Sequence, residues 1–72
     1  MAMTIDRHHF SRSYRGNLWC RHDDMTLTVF KRKGGGYGWC IHAGDEPRYS
    51  RVTFESEEVA LDDLLEEVGG AD

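Results

Sequence analysis

The stretch Met-Thr-Leu-Thr-Val-Phe-Lys at residues 25–31 limits the fold more than any other part of the chain. Apolar and polar residues alternate there with a period of two, and several are β-branched, which is typical of a strand with one buried face. Three consecutive glycines follow at residues 34–36 and interrupt the pattern. The stretch therefore predicts a strand that ends in a flexible hairpin tip.

Three further segments predict strands around it. Residues 17–22 alternate weakly, and the sequence His-Asp-Asp-Met at 22–25 predicts a tight turn, because Asp tolerates the backbone angles that such turns need. Residues 37–42 predict a third strand, and residues 48–54 predict a fourth. Residues 43–47 are predicted to form a loop, since Gly and Pro interrupt them and Pro cannot donate to a sheet.

The C-terminal part of the chain changes to a helical period. Ser56 is a typical helix N-cap, and the helix dipole favours the two glutamates that follow it. Gly69-Gly70 predicts the end of the helix. The apolar residues between them form one stripe that should face the sheet, at Ala60, Leu61, Leu64, Leu65 and Val68.

These patterns together predict an α+β fold. A three- to four-stranded antiparallel sheet is expected to pack on one C-terminal helix. Residues 16–70 are predicted to form this single domain, and residues 1–15 to form a polar, basic arm with room for one short strand.

The length of the chain argues against an enzyme. A domain of 72 residues buries only about 60% of its extended surface, which leaves little room for a core together with a deep substrate cleft. The four histidines have no obvious nucleophile partner, and the three glycines lack the strand-to-helix context of a phosphate-binding loop. We therefore expect neither a catalytic residue nor a cofactor.

The hydropathy of the chain predicts its location. No apolar run approaches the ~20 residues that span a bilayer, and residues 1–10 lack the apolar core of a signal peptide. We therefore expect no membrane association and a cytoplasmic protein. In that reducing compartment Cys20 and Cys40 should be thiols or metal ligands rather than a disulfide.

The two faces of the sheet can be separated in part. A two-residue turn pairs His22 with Met25, which places Trp19 and Phe30 on the face opposite Leu27. An even loop at the glycines would put the third strand's aromatic residues beside Trp19 and Phe30, and an odd loop would put them with Leu27. One helix covers only one face, so Trp19 and Phe30 are candidates for an exposed binding surface. The alternatives are that the arm covers them, or a second copy in a homodimer.

The sequence Trp-Cys-x-His occurs twice, at 19–22 and at 39–42. Two Cys and two His are a familiar zinc ligand set. In a simple meander, however, another strand separates the two pairs, so they lie about 9.6 Å apart, whereas zinc ligands converge within about 2.0–2.3 Å of one ion. We favour a structural role and keep a zinc site as the second alternative, with the ligands Cys20, His22, Cys40 and His42.

Charge is divided unevenly along the chain. Residues 1–51 carry nine Lys/Arg and five Asp/Glu, whereas residues 52–72 carry eight Asp/Glu and no Lys/Arg. The helix face opposite the apolar stripe is predicted to be an acidic ridge, made of Glu58, Asp62, Asp63, Glu66 and Glu67. Such a ridge is either a solvated surface or a docking surface for a basic groove on another protein.

The basic residues favour a different partner. Cations near the predicted sheet and at the hairpin tip, together with an aromatic residue, suit contacts with phosphates and bases. The candidate nucleic-acid-binding residues are Arg15, Arg21, Lys31, Arg32, Lys33 and Trp39.

The segments Tyr14-Arg15-Gly16 and Thr53-Phe54-Glu55-Ser56-Glu57-Glu58-Val59-Ala60, with Trp39 between them, resemble the AP2-type DNA-binding domain. That resemblance implies three strands and a helix, with DNA read by arginines and tryptophans of the sheet. Only Arg15 and Arg21 stand where the family carries closely spaced sheet arginines.

From the sequence, the favoured function is a small non-catalytic protein-interaction module that uses the acidic ridge, Trp19 and Phe30. By type alone it resembles the small inhibitor proteins of phages and mobile elements, including anti-CRISPR proteins. Nucleic-acid binding through the hairpin and the sheet is the first alternative.

Overall fold

The computed structural model describes residues 5, 7–22, 24–44 and 46–70. Asp23 of the predicted turn, Asp45 of the predicted loop and most of residues 1–6 of the predicted arm lie outside them. The described strands form one antiparallel sheet in which each strand pairs with the next one along the chain. The strands are β1 (Ser11–Arg12), β2 (Leu18–His22), β3 (Met25–Lys31), β4 (Tyr37–Ala43) and β5 (Glu46–Tyr49).

The predicted α+β class is confirmed, but the sheet has five strands rather than three to four. The additional strand, β1, comes from the predicted arm, after a 3-10 turn at Arg7–His9. The last strand begins earlier than predicted and includes Pro47. The backbone N–H of Ser50 bonds to Trp39, so by alternation the nitrogen of Pro47 points away from β4. Proline is tolerated there because no sheet hydrogen bond is lost.

The two central hairpins set which residues share a face. In the β2–β3 hairpin His22 pairs with Met25 and Cys20 with Leu27, as the two-residue turn predicted. The β3–β4 connection has an odd number of residues, 32–36, so Trp39 pairs with Val29. The odd alternative is therefore the correct one, and the aromatic residues of β4 share the face of Leu27.

The helix α1 (Glu57–Leu65) begins as predicted, because the hydroxyl of Ser56 accepts a hydrogen bond from the N–H of Val59 at 3.2 Å. It continues as a π-helical turn at Glu66–Gly70. No helix in the described part of the chain is long and apolar enough to cross a bilayer.

The core lies between α1 and one face of the sheet. Leu27 and Val29 from the central strand and Leu64 from the helix have no exposed surface. Ile5 belongs to the same cluster and is 7% exposed. At about 25 cal/mol per Å² of apolar surface, such burial supplies the main stabilisation of a small domain. The described part of the arm therefore contributes to the core on the helix side.

Candidate binding surface

The face of the sheet opposite α1 is not covered by any described helix. Residues that pair directly across strands share a face, and the pairings place eleven described residues on this side. We call this surface the open sheet face, made of Ser11, Trp19, Arg21, Thr26, Thr28, Phe30, Gly38, Cys40, His42, Pro47 and Tyr49.

One row crosses all five strands on this face, beginning with the pair of Ser11 and Trp19. Trp19 pairs with Thr28, Thr28 with Cys40, and Cys40 with Tyr49. Trp19 is 38% exposed and Tyr49 is 58% exposed. Three strand spacings of about 4.8 Å separate the backbones of these two aromatic residues by roughly 14 Å. Large rings thus stand at the two sides of the row, with small side chains between them.

A shallow depression of about 330 Å³ lies on this surface. Its lining includes Thr28 and Cys40 and the rings of Phe30 and Tyr49. The two rings meet edge to face, with centroids 6.3 Å apart and an interplanar angle of 75°. This arrangement is a favoured one for aromatic pairs, so it holds both rings in place.

Arg32 stabilises this aromatic pair from the side. Its guanidinium carbon lies 5.7 Å from the centroid of Phe30, within the range of a cation–π contact. The side chain crosses Gly38, where an added Cβ would lie 2.6 Å from the Arg32 Nε. A side chain at position 38 would require this arginine to move, so Gly38 makes room for Arg32 beside Phe30.

Ser50 anchors Arg32 and the end of β5. The buried Ser50 Oγ accepts hydrogen bonds from the backbone N–H of Trp39 at 3.2 Å and from Arg32 Nη2 at 3.1 Å, and donates to the carbonyl of Val52 at 3.1 Å. The same Nη2 also donates to the Ser50 carbonyl at 3.1 Å. One small side chain thus connects β4, the β3–β4 loop and the segment that leads to α1.

The open sheet face carries no acidic residue among its described members. Arg21 is an exposed cation on the face itself. Lys31 and Lys33 are exposed at the β3–β4 hairpin, and exposed Arg15 lies in the β1–β2 turn at the same end of the sheet. Within the described residues these four cations form no ion pair, so their charges remain available to a ligand.

The acidic ridge, by contrast, is largely engaged within the molecule. Arg7 bridges Glu58 and Asp62, with N–O distances of 2.9 Å to each. The two carboxylates hold the pKa of Arg7 above its ordinary value, mainly through the hydrogen bond to Glu58. Arg48 pairs with Glu67. Like charges four residues apart would otherwise destabilise the helix, and these arginines compensate for them.

The two remaining residues of the ridge, Asp63 and Glu66, differ in their side-chain partners. Asp63 accepts a hydrogen bond of 2.9 Å from the indole N–H of Trp39, which ties the helix to β4. Glu66 is exposed and has no side-chain partner among the described residues. One of the five predicted ridge residues is therefore left for an outside partner, and the other four have partners within the molecule.

A further ion pair fixes the arm to the start of the helix. Arg12 donates two hydrogen bonds to Glu57, at 2.8 and 3.0 Å. The hydrogen bonds from Arg12 lower the pKa of the Glu57 carboxyl, against a smaller opposing effect of burial. The described part of the arm thus lies along α1 and leaves Trp19 and Phe30 uncovered.

The four residues of the zinc hypothesis do not come together in one chain. Cys20 and His22 lie on the helix side of the sheet, whereas Cys40 and His42 lie on the open sheet face, and β3 separates the two strands. No cluster of three metal-ligand side chains exists among the described residues. Burial raises the pKa of both thiols, and at Cys40 a hydrogen bond with Tyr49 opposes this rise.

The structure changes the predicted roles of Trp39 and Arg32. Trp39 was a candidate for nucleic-acid contact, but it is 4% exposed and packs in the core, because the odd loop turns it toward the helix. Arg32 was treated as part of a flexible tip, but it is half-buried against Phe30. Sequence reasoning missed Tyr49, whose only signal was its period-two spacing from Pro47.

Comparison with known proteins supplies no family. The chain matches no protein-family model, and no curated protein or solved structure is significantly similar to it. The AP2-type resemblance accordingly rests on the quoted residues alone.

Proposed function

We propose that this domain is a non-catalytic binding module and that its open sheet face binds nucleic acid. The observation that carries the proposal is an exposed sheet surface with aromatic residues and no described acid, flanked by unpaired cations. Phosphates are attracted to such cations, and aromatic side chains stack on bases. Arg15, Arg21 and Lys33 are the cations that we assign to phosphates, because Lys31 pairs with Tyr37 and so belongs to the helix side of the sheet.

The net charge of -4 does not oppose this proposal. The acidic residues of α1 lie on the other side of the sheet, and packed layers of secondary structure are about 10 Å apart. Exposed charges are largely screened beyond about 8 Å at physiological ionic strength. Arg7, Arg12 and Arg48 further reduce the negative field of the helix through their ion pairs.

A titration of the purified 72-residue protein against labelled DNA and RNA tests the proposal. We expect binding that weakens steeply between low and physiological salt, because phosphate contacts release counterions. Replacing Arg21 and Lys33 by Gln should weaken binding and reduce the salt dependence. The matched control is Arg51→Gln, an exposed cation beyond the end of β5, which should bind like the wild type. Absence of binding even at low salt would refute the proposal.

The second candidate is a protein-interaction module of the phage-inhibitor type, using the same face. The exposure of Trp19 and Tyr49 supports it, since aromatic residues are enriched at protein interfaces. Glu66, and not the whole acidic ridge, then remains for electrostatic contact. For a captured partner, Trp19→Thr should abolish binding if the sheet is the interface, and Glu66→Lys should do so if the ridge is.

A further inference from the structure

We infer that the ligand of the open sheet face is a single-stranded nucleic acid, with bases stacked on Trp19 and on the Phe30–Tyr49 pair. The inference rests on the proposed function and names its ligand class. DNA and RNA strands share this stacking chemistry, and the experiment below separates them.

The side chains of the open sheet face suit the exposed faces of unpaired bases better than the base edges of a duplex. A duplex buries the faces of its bases and presents only their edges, which are read by hydrogen-bonding side chains. Unpaired bases expose their faces, and these stack on aromatic rings. The open sheet face has three aromatic rings but only one exposed arginine, Arg21, to read base edges. Trp39, the tryptophan quoted in the AP2-type resemblance, is buried in the core.

The spacing of the aromatic rings suits a strand that lies across the sheet. Trp19 and Tyr49 lie on β2 and β5, roughly 14 Å apart by strand spacing, too far to contact the same base. Thr28 and Cys40 between them are small and half-buried, and the depression beside them measures about 330 Å³. A strand lying across the sheet can therefore place different nucleotides on the two aromatic sites.

The positions of the cations fit the same path. Lys33 and Arg15 lie at the hairpin end of the sheet, and Arg21 lies on the other side of the row from Trp19 to Tyr49. A backbone that follows this row therefore runs between cations on its two sides. Two to three phosphate contacts predict a salt slope of about -1.4 to -2.1 for a single strand. Affinity should then fall roughly 7- to 18-fold between about 50 and 200 mM salt.

The test uses the 72-residue protein with three fluorescent probes of one sequence. These are a DNA single strand of about 12 nucleotides, within the usual site sizes, the RNA of that sequence, and the DNA annealed to its complement. We expect either single strand to bind at least about tenfold more tightly than the duplex, since stacking contributes about 1–3 kcal/mol per base. The relative affinity of the DNA and RNA strands identifies the natural source.

Two variants examine the aromatic sites. Trp19→Thr and Tyr49→Thr place a β-branched residue, which suits a strand, at each position and should each weaken single-strand binding by about 5- to 160-fold. Val59→Thr is the matched control, because Val59 is 44% exposed on the helix. Its affinity should stay within about twofold of the wild type. Circular dichroism of each variant verifies that a loss of binding does not reflect unfolding.

The two cysteines give an independent map of the bound face. Cys40 is in the centre of the open sheet face and Cys20 is buried on the helix side. Bound single strand should slow alkylation of Cys40 and leave that of Cys20 unchanged. Equal protection of both thiols, or of neither while binding persists, would overturn the assignment of the ligand to this face.

The outcomes distinguish the inference of a single-stranded ligand from the proposed binding of nucleic acid in general. Preference for single strands with sensitivity to Trp19 and Tyr49 supports the inference. Binding of duplex at equal or higher affinity, unaffected by those two substitutions, overturns the inference and leaves nucleic-acid binding intact. Absence of binding to all three probes overturns both and favours a protein partner.

Discussion

Replacing Ser50 by Ala should destabilise the domain more than the loss of one small hydroxyl group suggests. The substitution removes a hydroxyl that accepts from Trp39 N–H and Arg32 and donates to Val52. The Trp39 N–H would be left without a partner inside the core, at a cost of about 1–3 kcal/mol. The other two bonds contribute about 0.5–1.5 kcal/mol each, and Arg32 keeps its bond to the Ser50 carbonyl.

The expected loss is thus about 2–6 kcal/mol. A domain of 72 residues has a total stability of about 4–11 kcal/mol, so the change is a large share of the whole. Urea unfolding followed by circular dichroism measures it, with a midpoint that should fall by about 2 M or more at a slope near 1 kcal/mol/M.

Ser11→Ala is the control for this experiment. Ser11 is exposed on β1, and its side chain has no hydrogen bond among the described residues. Its effect should stay within about 0.5 kcal/mol. If Ser50→Ala unfolds at the same urea concentration as Ser11→Ala, the role of Ser50 as an anchor of β4, Arg32 and the following segment is refuted.

Two further predictions concern the start of the helix and the hairpin tip. Because its ion pair with Arg12 lowers the pKa of Glu57 below its ordinary value of 4.5, this carboxylate stabilises the fold above that pH and loses the effect as the pH falls through the lowered value. The stability difference between the wild type and Glu57→Gln should therefore shrink between about pH 6 and pH 3, and a difference that stays constant over this range would contradict the role of the ion pair. Gly36→Ala should cost about 2 kcal/mol or more, because the residue has φ +81° and an added Cβ would lie 2.2 Å from Cγ2 of Thr53. Gly34→Ala meets nothing within 4 Å and should change stability by less than about 1 kcal/mol; equal costs at the two glycines in urea unfolding would contradict the steric argument.

The β2–β3 hairpin could be predicted from sequence because its signals are local. The alternation at 25–31 and the short turn before it define the register without reference to the rest of the chain. The N-cap Ser56 is local in the same way, since its hydroxyl bonds three residues ahead. The predicted bounds and pairings therefore agree with the structure in these elements.

The fifth strand and the course of the arm depend on distant contacts. β1 has only two residues, Ser11 and Arg12, and pairs with β2, too short a stretch for any periodic pattern. Arg7 reaches helix residues more than fifty positions away. These ion pairs give the carboxylates of the helix counterions within the molecule, which offsets the repulsion between like charges four residues apart. Sequence spacing alone contains no information on such partners.

The composition of the open sheet face depends partly on the local sequence and partly on tertiary packing. Placing Trp19 and Phe30 opposite Leu27 follows from the sequence, because strand residues alternate between faces whatever the rest of the chain does. Whether Trp39 joins them depends on the parity of the loop between β3 and β4, which a run of glycines does not restrict. The packing of α1 and the arm on one side of the sheet then decided that Trp39 is core, and that Trp19 and Tyr49 remain exposed to a ligand.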